Sequence, residues 1–385
     1  MNVCIFSANY LPNIGGVERY TYYLSKELIK MGNAVTVVTN NVVLGESEEV
    51  SSEGIKIKRF PCFNFLDGRY PVKKLNALTK KLHKDLMKED FDFVIINARF
   101  YLHSLFGAKF AKKKNIPCLI IEHGSSHLSV NNKLFDFLGG VWEHFLTAIL
   151  KCYCKDYYGV SEAACSWSGH FNIQSKGVFF NSIDLNEINQ LLENPVCDYR
   201  KEYDIPKDAT VITYTGRLVK EKGSFELAQA FLDADIQNSY LVIAGDGDMF
   251  ESIKDLKKDD KRIILLGRVD FKHIVALLKT SDIFCLPTVY PEGLPTSVLE
   301  AAAAKNFIIT TTFGGAKEFI LNDSYGILLD DNAPEKIVPA LKKAVEEKEY
   351  RLNAVENSYQ RLKEHFVWEK TAQNVAKIIK KGKIK

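Results

Sequence analysis

The chain has 385 residues, a formal net charge of +3, and 46% hydrophobic against 26% charged residues. That length suits two domains of roughly 150 residues each, and the composition excludes a disordered, collagenous or coiled-coil chain. The small charge gives no basic footprint for nucleic acid, and no run approaches about 18 apolar residues, which excludes a membrane-spanning helix.

In chain order, residues 3–8 form a short apolar run without a basic segment before it, which reads as a first strand rather than a signal peptide. Asn9, Pro12 and the Gly15–Gly16 pair end it, and helical periodicity then runs from Val17 to Met31, with Gly32 as the stop. Residues 34–39 are the next strand, and 93–96, 118–121 and 157–160 repeat the pattern with helical stretches between. Strands alternating with helices imply βαβ units and a parallel sheet covered on both faces. Residues 131–152, rich in Phe and Leu and containing Trp142, read as a core-packed helix pair. The alternative there is a surface for a lipid-linked acceptor or a membrane interface.

The polar stretch 193–206, bracketed by Pro195 and Pro206, reads as a linker. The alternation restarts near residue 210, with strands expected at 211–215, 240–244, 263–266 and 283–286. Helices are expected at 222–232, 250–257, 271–279 and 295–304. The expected class is therefore α/β, two doubly wound domains (1–190 and 191–365) facing each other across a cleft, with ligands bound beyond the carboxyl ends of the strands. Whether the last helix, 366–385, packs back on the first domain is left open. The eight cysteines include no C-x-x-C pair, and Cys152-x-Cys154 is too tight for zinc, so they read as reduced thiols in the cytoplasm.

Two segments carry the chemistry. Tyr214–Gly223 reads YTGRLVKEKG: Gly216 permits a tight turn, Arg217 and Lys222 flank a helix entry, and Gly223 would let a ligand approach the backbone. A diphosphate needs cations and backbone N–H donors, and a helix start supplies the latter. An ordinary charged surface loop is the bland reading. Pro291–Ala304 reads PEGLPTSVLEAAAA, with Glu292 before a helix and Glu300 on it. Carboxylates so placed can accept hydrogen bonds from sugar hydroxyls, and an ordinary capped helix is the bland reading. Asp246 and Asp248 form a D-x-D pair in AGDGDM, which reads as a turn at a strand end rather than a metal site. His123, in EHGSSH at a strand end, reads as functional; His127 stays structural or acceptor-side, and His103, His144 and His170 carry no motif.

In combination, GRLVKEKG followed by E-x7-E resembles the retaining glycosyltransferases of the GT4 family, which have the GT-B fold of two Rossmann-like domains facing across a deep cleft. Asn13–Glu18 (NIGGVE), Glu122–Gly124 (EHG), GVSEA at 159–163, NSID at 181–184, GDG at 245–247, Gly267–Arg268 and SDIFCLP at 281–287 extend the likeness over most of the chain. Ser182 stands where the family often has Gly, and Glu292-Gly-Leu-Pro-Thr replaces its commoner Phe-Gly form.

The resemblance implies that Arg217 and Lys222 neutralise the departing diphosphate, that Glu300 holds the ribose, and that Glu292 and His123 contact the transferred sugar. It places Gly15 and Gly16 near phosphate or acceptor, and Gly216, Arg268, Gly293 and Leu294 on the donor side. It implies a UDP- or GDP-sugar donor, a saccharide or lipid-linked acceptor in polysaccharide or glycolipid synthesis, and neither metal nor cofactor. Peripheral contact with the inner membrane face is left open. A nucleotide-sugar epimerase and a silent binding module fit the two segments less well. A dinucleotide oxidoreductase needs G-x-G-x-x-G where the chain has NIGGVE.

Overall fold

A computed structural model describes residues 1–13, 15–127, 132–290 and 293–383. The chain divides into two compact units, Met1–Asn181 with Trp368–Lys385, and Ser182–Val367.

The first unit contains β1 (Asn2–Ser7), α1 (Gly16–Lys30), β2 (Ala34–Asn40), β3 (Glu48–Val50), β4 (Lys56–Phe60), β5 (Cys62–Phe65) and β6 (Tyr70–Lys73). It continues through α2 (Ala77–Lys88), β7 (Phe93–Asn97), α3 (Leu102–Lys114), β8 (Cys118–Glu122), α4 (Lys133–Leu150), β9 (Tyr157–Gly159) and α5 (Glu162–Gly169). Its main sheet runs β3-β4-β2-β1-β7-β8-β9, parallel except for β3, with β5 and β6 as a separate hairpin. Apart from β3, that is the doubly wound order in which the strand sequence reverses beside the first strand. Successive residues of β1 face opposite layers, as a strand requires. Val3 and Ile5 pack with Tyr20, Leu24 and Leu28 of α1, whereas Cys4 and Phe6 pack with α2 and α3.

The second unit contains α6 (Leu185–Glu193), α7 (Tyr199–Glu202), β10 (Thr210–Thr215), α8 (Ser224–Ala234), β11 (Ser239–Ala244), α9 (Phe250–Lys257) and β12 (Ile263–Gly267). Then follow α10 (Phe271–Thr280), β13 (Ile283–Leu286), α11 (Thr296–Ala303), β14 (Phe307–Thr311), α12 (Ala316–Phe319), β15 (Ile327–Leu329), α13 (Pro334–Glu346) and α14 (Lys348–His365). Its parallel sheet runs β12-β11-β10-β13-β14-β15, the same winding as the first. The order reverses between β10 and β13 here and between β1 and β7 in the first unit, and such reversal points are where doubly wound sheets bind ligands.

Several sequence expectations change in detail. The stretch 193–206 is built into the second unit: α7 is capped by Asp198, and Arg200 pairs with Asp282 at 3.0 Å. The divide falls at Asn181 because α6 already packs on α10, where Lys279 Nζ donates to the Leu192 carbonyl at 2.5 Å. The last helix, α15 (Trp368–Lys383), packs on α1, with Trp368, Ala372, Val375 and Ile379 in the first unit's core.

Strand β4 has no apolar signature, because its buried Lys58 and Arg59 are charged. Each is matched by acid, Lys58 by Glu48 and Glu89, and Arg59 by Glu49 at 2.7 Å. The helix pair expected at 131–152 is, over its described residues, the single helix α4. It buries only Glu143, Leu146, Thr147 and Leu150 and exposes Phe135, Phe137, Leu138, Val141 and Phe145. Among the described residues no helix is long and apolar enough to cross a membrane.

Candidate active site

The carboxyl end of β10 holds a loop tied on both sides to neighbouring segments. After Thr215 the chain turns at Gly216, passes Arg217, and makes one 3-10 turn at Lys220–Lys222 before α8. The turn replaces the expected helix start at Lys222, because Gly223 at φ +73° breaks the helical path and α8 begins at Ser224. One side of the loop is tied to the segment after β11: Leu218 N–H donates to the Asp246 carbonyl at 2.9 Å, and Met249 N–H to the Leu218 carbonyl at 2.8 Å. The other side is tied to the segment after β13, where Val289 N–H donates to the Glu221 carbonyl at 2.8 Å.

Held in this way, the two cations converge on one ring. The Arg217 guanidinium lies 5.7 Å and Lys222 Nζ 5.3 Å from the Tyr290 ring centroid. Lys222 is buried and Arg217 exposed, so a fixed point charge stands beside a planar fork able to grip two phosphate oxygens. Tyr290 was missed from the sequence; its only signal is its place between strand β13 and the E-x7-E segment.

A side chain at Gly223 would meet the Pro287 carbonyl oxygen at 2.2 Å, so the close approach of that backbone already requires glycine there. Gly245 presses on the Gly216 carbonyl in the same way, its added Cβ falling at 1.8 Å. The GDG segment is thus a backbone brace for the Arg217 loop, and Asp246 Oδ1 accepts the N–H of Gly247 at 2.8 Å.

Glu300 lies on α11, buried to 9% exposure, and Leu294 is buried in the loop before it. Gly293 accepts the Gly315 N–H at 3.3 Å, which ties that loop to the segment after β14. Glu292 lies outside the described residues. Arg268 is exposed beyond β12, two strands from β10, or roughly 10 Å at ordinary strand spacing. It shares the sheet end with the cation pair without joining it.

In the first unit, Gly15 and Gly16 open α1, and nothing lies within 4 Å of a Cβ added at Gly16. At Gly15 the Glu18 carboxylate is already beside the backbone, 2.3 Å from an added Cβ, and burial raises its pKa. His123 follows β8. Its Nε2 donates to Asn97 Oδ1 at 3.2 Å, Asn97 Nδ2 donates to Thr21 Oγ1 at 2.7 Å, and Thr21 donates to the Val17 carbonyl at 2.7 Å. Burial pushes the His123 pKa down to about 3, so the imidazole is neutral near pH 7. Tyr20 meets it edge-on at 4.8 Å, and Trp368 of α15 meets Tyr20 at 4.9 Å. The ring is thereby fixed by α1 and, through Tyr20, by the last helix.

Behind His123 is a buried ionic chain that sequence reasoning also missed. Arg99 is fully buried, with Nε 2.7 Å from Glu122 Oε2, an η nitrogen 2.6 Å from Glu143 Oε1, and its guanidinium 3.5 Å over the Phe171 ring. Glu122 Oε1 accepts the backbone N–H groups of His123 and Gly124 at 3.0 and 3.1 Å. Burial raises the Glu122 pKa despite Arg99 beside it.

The family described as "Glycosyl transferases group 1" matches residues 197–361, and "Glycosyltransferase Family 4" matches residues 14–176. An uncharacterised glycosyltransferase of Methanocaldococcus jannaschii is 26% identical over 99% of this chain and 98% of its own. The Escherichia coli UDP-Gal:alpha-D-GlcNAc-diphosphoundecaprenol alpha-1,3-galactosyltransferase is 26% identical over 72% of each chain. Among solved structures, Anabaena HepE in complex with UDP superposes with a TM-score of 0.76 at 14% identity, covering 99% of this chain and 100% of that one.

Proposed function

The chain belongs to the group 1, GT4-type glycosyltransferases and has their GT-B fold, and from that premise we propose that it moves a hexose-type sugar from a UDP- or GDP-sugar to a saccharide or lipid-linked acceptor with retention of anomeric configuration. The single observation that carries the reading is the pair Arg217 and Lys222 on the Tyr290 ring, at the point where the second sheet reverses its order. Two matched proteins add support: HepE is solved with UDP, and the E. coli relative is named for a UDP-sugar donor and a lipid-diphosphate acceptor. An epimerase is not favoured, since the matched relatives are transferases.

Glycosyl transfer passes through an oxocarbenium-like state, and the electrons of the breaking bond leave with the diphosphate. On this reading Arg217 and Lys222 stabilise that charge, which preorganised donors do better than water. Glu300 holds the ribose, and Glu292, Gly293 and Leu294 contact the donor. Neutral His123 contacts a sugar hydroxyl as donor or acceptor rather than as an ion. No residue is assigned as a covalent nucleophile. The two cations supply the charge that a divalent ion would bring, so no metal is needed at the diphosphate. Eight free cysteines accord with a reducing, cytoplasmic setting.

The test is transfer from a panel of UDP- and GDP-sugars, with product configuration read by NMR. Lys222→Ala should lower turnover by about 10²-fold, the cost of about 3 kcal/mol seen when one oxyanion donor is lost. Near-wild-type turnover in a folded variant would remove Lys222 from the assigned role.

A further inference from the structure

Three histidines that no sequence motif connects meet in the first unit. His127 comes from the loop after β8, His144 from α4, and His170 caps the end of α5. One ring nitrogen from each can be chosen so that all three lie within 4.8 Å of one another. The Nε2 atoms of His144 and His170 are 3.1 Å apart. With metal–nitrogen bonds of about 2.0–2.1 Å, the edge of a tetrahedron is roughly 3.4 Å, so this pair stands near ligand spacing already.

The third histidine is held as a metal ligand's would be. His127 Nδ1 is bonded to Glu143 Oε2, which leaves Nε2 as its free ligand atom. A carboxylate on the far nitrogen fixes tautomer and ring orientation and raises ligand basicity. Glu143 is in turn anchored by Arg99 at 2.6 Å. Trp167 stacks on His170 at 4.8 Å and meets His127 edge-on at the same distance, which walls the group with aromatic surface. His144 and His170 are both exposed, so an ion can enter from solvent.

We propose that His127, His144 and His170 bind one transition-metal dication of the zinc class, distinct from the nucleotide-sugar site. An all-imidazole set suits zinc, cobalt, nickel or copper and disfavours magnesium or calcium, which prefer oxygen. Three protein ligands leave a fourth position open for water or another donor. The ion joins the β8 loop, α4 and α5. Its pull is carried through Glu143, Arg99 and Glu122 to the backbone N–H groups of His123 and Gly124. The site is thus a positioning device for the His123 segment and takes no part in bond breaking.

The experiment uses the full chain stripped with chelator and titrated with Co²⁺ alone, followed by competition with Zn²⁺. The expected result is one equivalent bound with the intense visible absorption of four-coordinate cobalt, bleached by zinc. His170→Ala should weaken binding by at least about tenfold, since even loss of an outer partner costs 10- to 100-fold. His144→Ala should do the same, while His273→Ala, on the second unit, should bind as wild type. Both substituted histidines are exposed, and equal melting temperatures of the metal-free proteins confirm intact folding. Weak six-coordinate cobalt absorption in wild type, or equal affinity in the doubly substituted protein, would overturn the proposal. None of these readings depends on sugar transfer.

Discussion

The two units wind their sheets identically, yet the two reversal points carry opposite chemistry. In both, a strand ends, a glycine-containing loop follows, and a helix opens with glutamate at its third position, Glu18 in α1 and Glu226 in α8. Only the second unit places cations before that helix, Arg217 and Lys222 on one tyrosine. The first ends in neutral groups, the chain His123–Asn97–Thr21, with a carboxylate already beside Gly15. On the proposed reading, a helix N-terminus alone does not make a diphosphate site. The fold provides the position, and the side chains at the reversal point decide what it binds.

The sharpest way to separate the units is acid. Burial, together with nearby Lys73 in the case of His103, pushes the pKa of both His103 and His123 down to about 3, and both belong to the first unit. Between pH 6.5 and 3 the unfolded chain binds protons that the folded histidines refuse. Each such group therefore removes stability as pH falls, by about 1.4 kcal/mol per pH unit. Over two pH units that is roughly 2.7 kcal/mol per histidine. Denaturant unfolding of His123→Gln against wild type from pH 6 to pH 4 should show a slope shallower by that single increment. Parallel slopes would mean that the imidazole is not buried neutral as described.

A smaller effect tests the cation pair. Tyr290→Ala removes the ring on which both cations rest, and a cation–π contact is worth about 0.5–1 kcal/mol near a surface. Nucleotide affinity should fall about twofold to fivefold as Arg217 and Lys222 lose their common support. Unchanged affinity would make Tyr290 a bystander and leave the loop braces as the sole organisers.

The sequence makes the strands with unbroken apolar runs legible, since β1 and β13 are buried on both faces and show little else. The cation segment stands out only in combination with the E-x7-E segment downstream, since Gly-Arg followed five residues later by Lys also occurs at 68–74. The sequence hides β4, whose inward Lys58 and Arg59 look solvent-facing until Glu48, Glu49 and Glu89 come into place. It does not show that Gly223 must also clear the Pro287 carbonyl, a group brought near only by the sheet. It cannot show the histidine group or the Arg99 chain at all, since their members are distant in sequence and only β7, β8, α4 and α5 assemble them. Local pattern reaches what one element does, and contacts between elements stay beyond it.

The central claim is that the second unit's cation pair holds a nucleoside diphosphate. Its most direct test is a thermal-shift titration of UDP, GDP, ADP and NAD in the presence of chelator, on wild type and Arg217→Ala. A ligand at 100 times its dissociation constant should stabilise the protein by about 2.7 kcal/mol. The expected result is a clear shift with UDP or GDP that survives chelation and is lost in Arg217→Ala. A shift with NAD alone, or a nucleotide shift that the Arg217 variant keeps in full, would contradict the account.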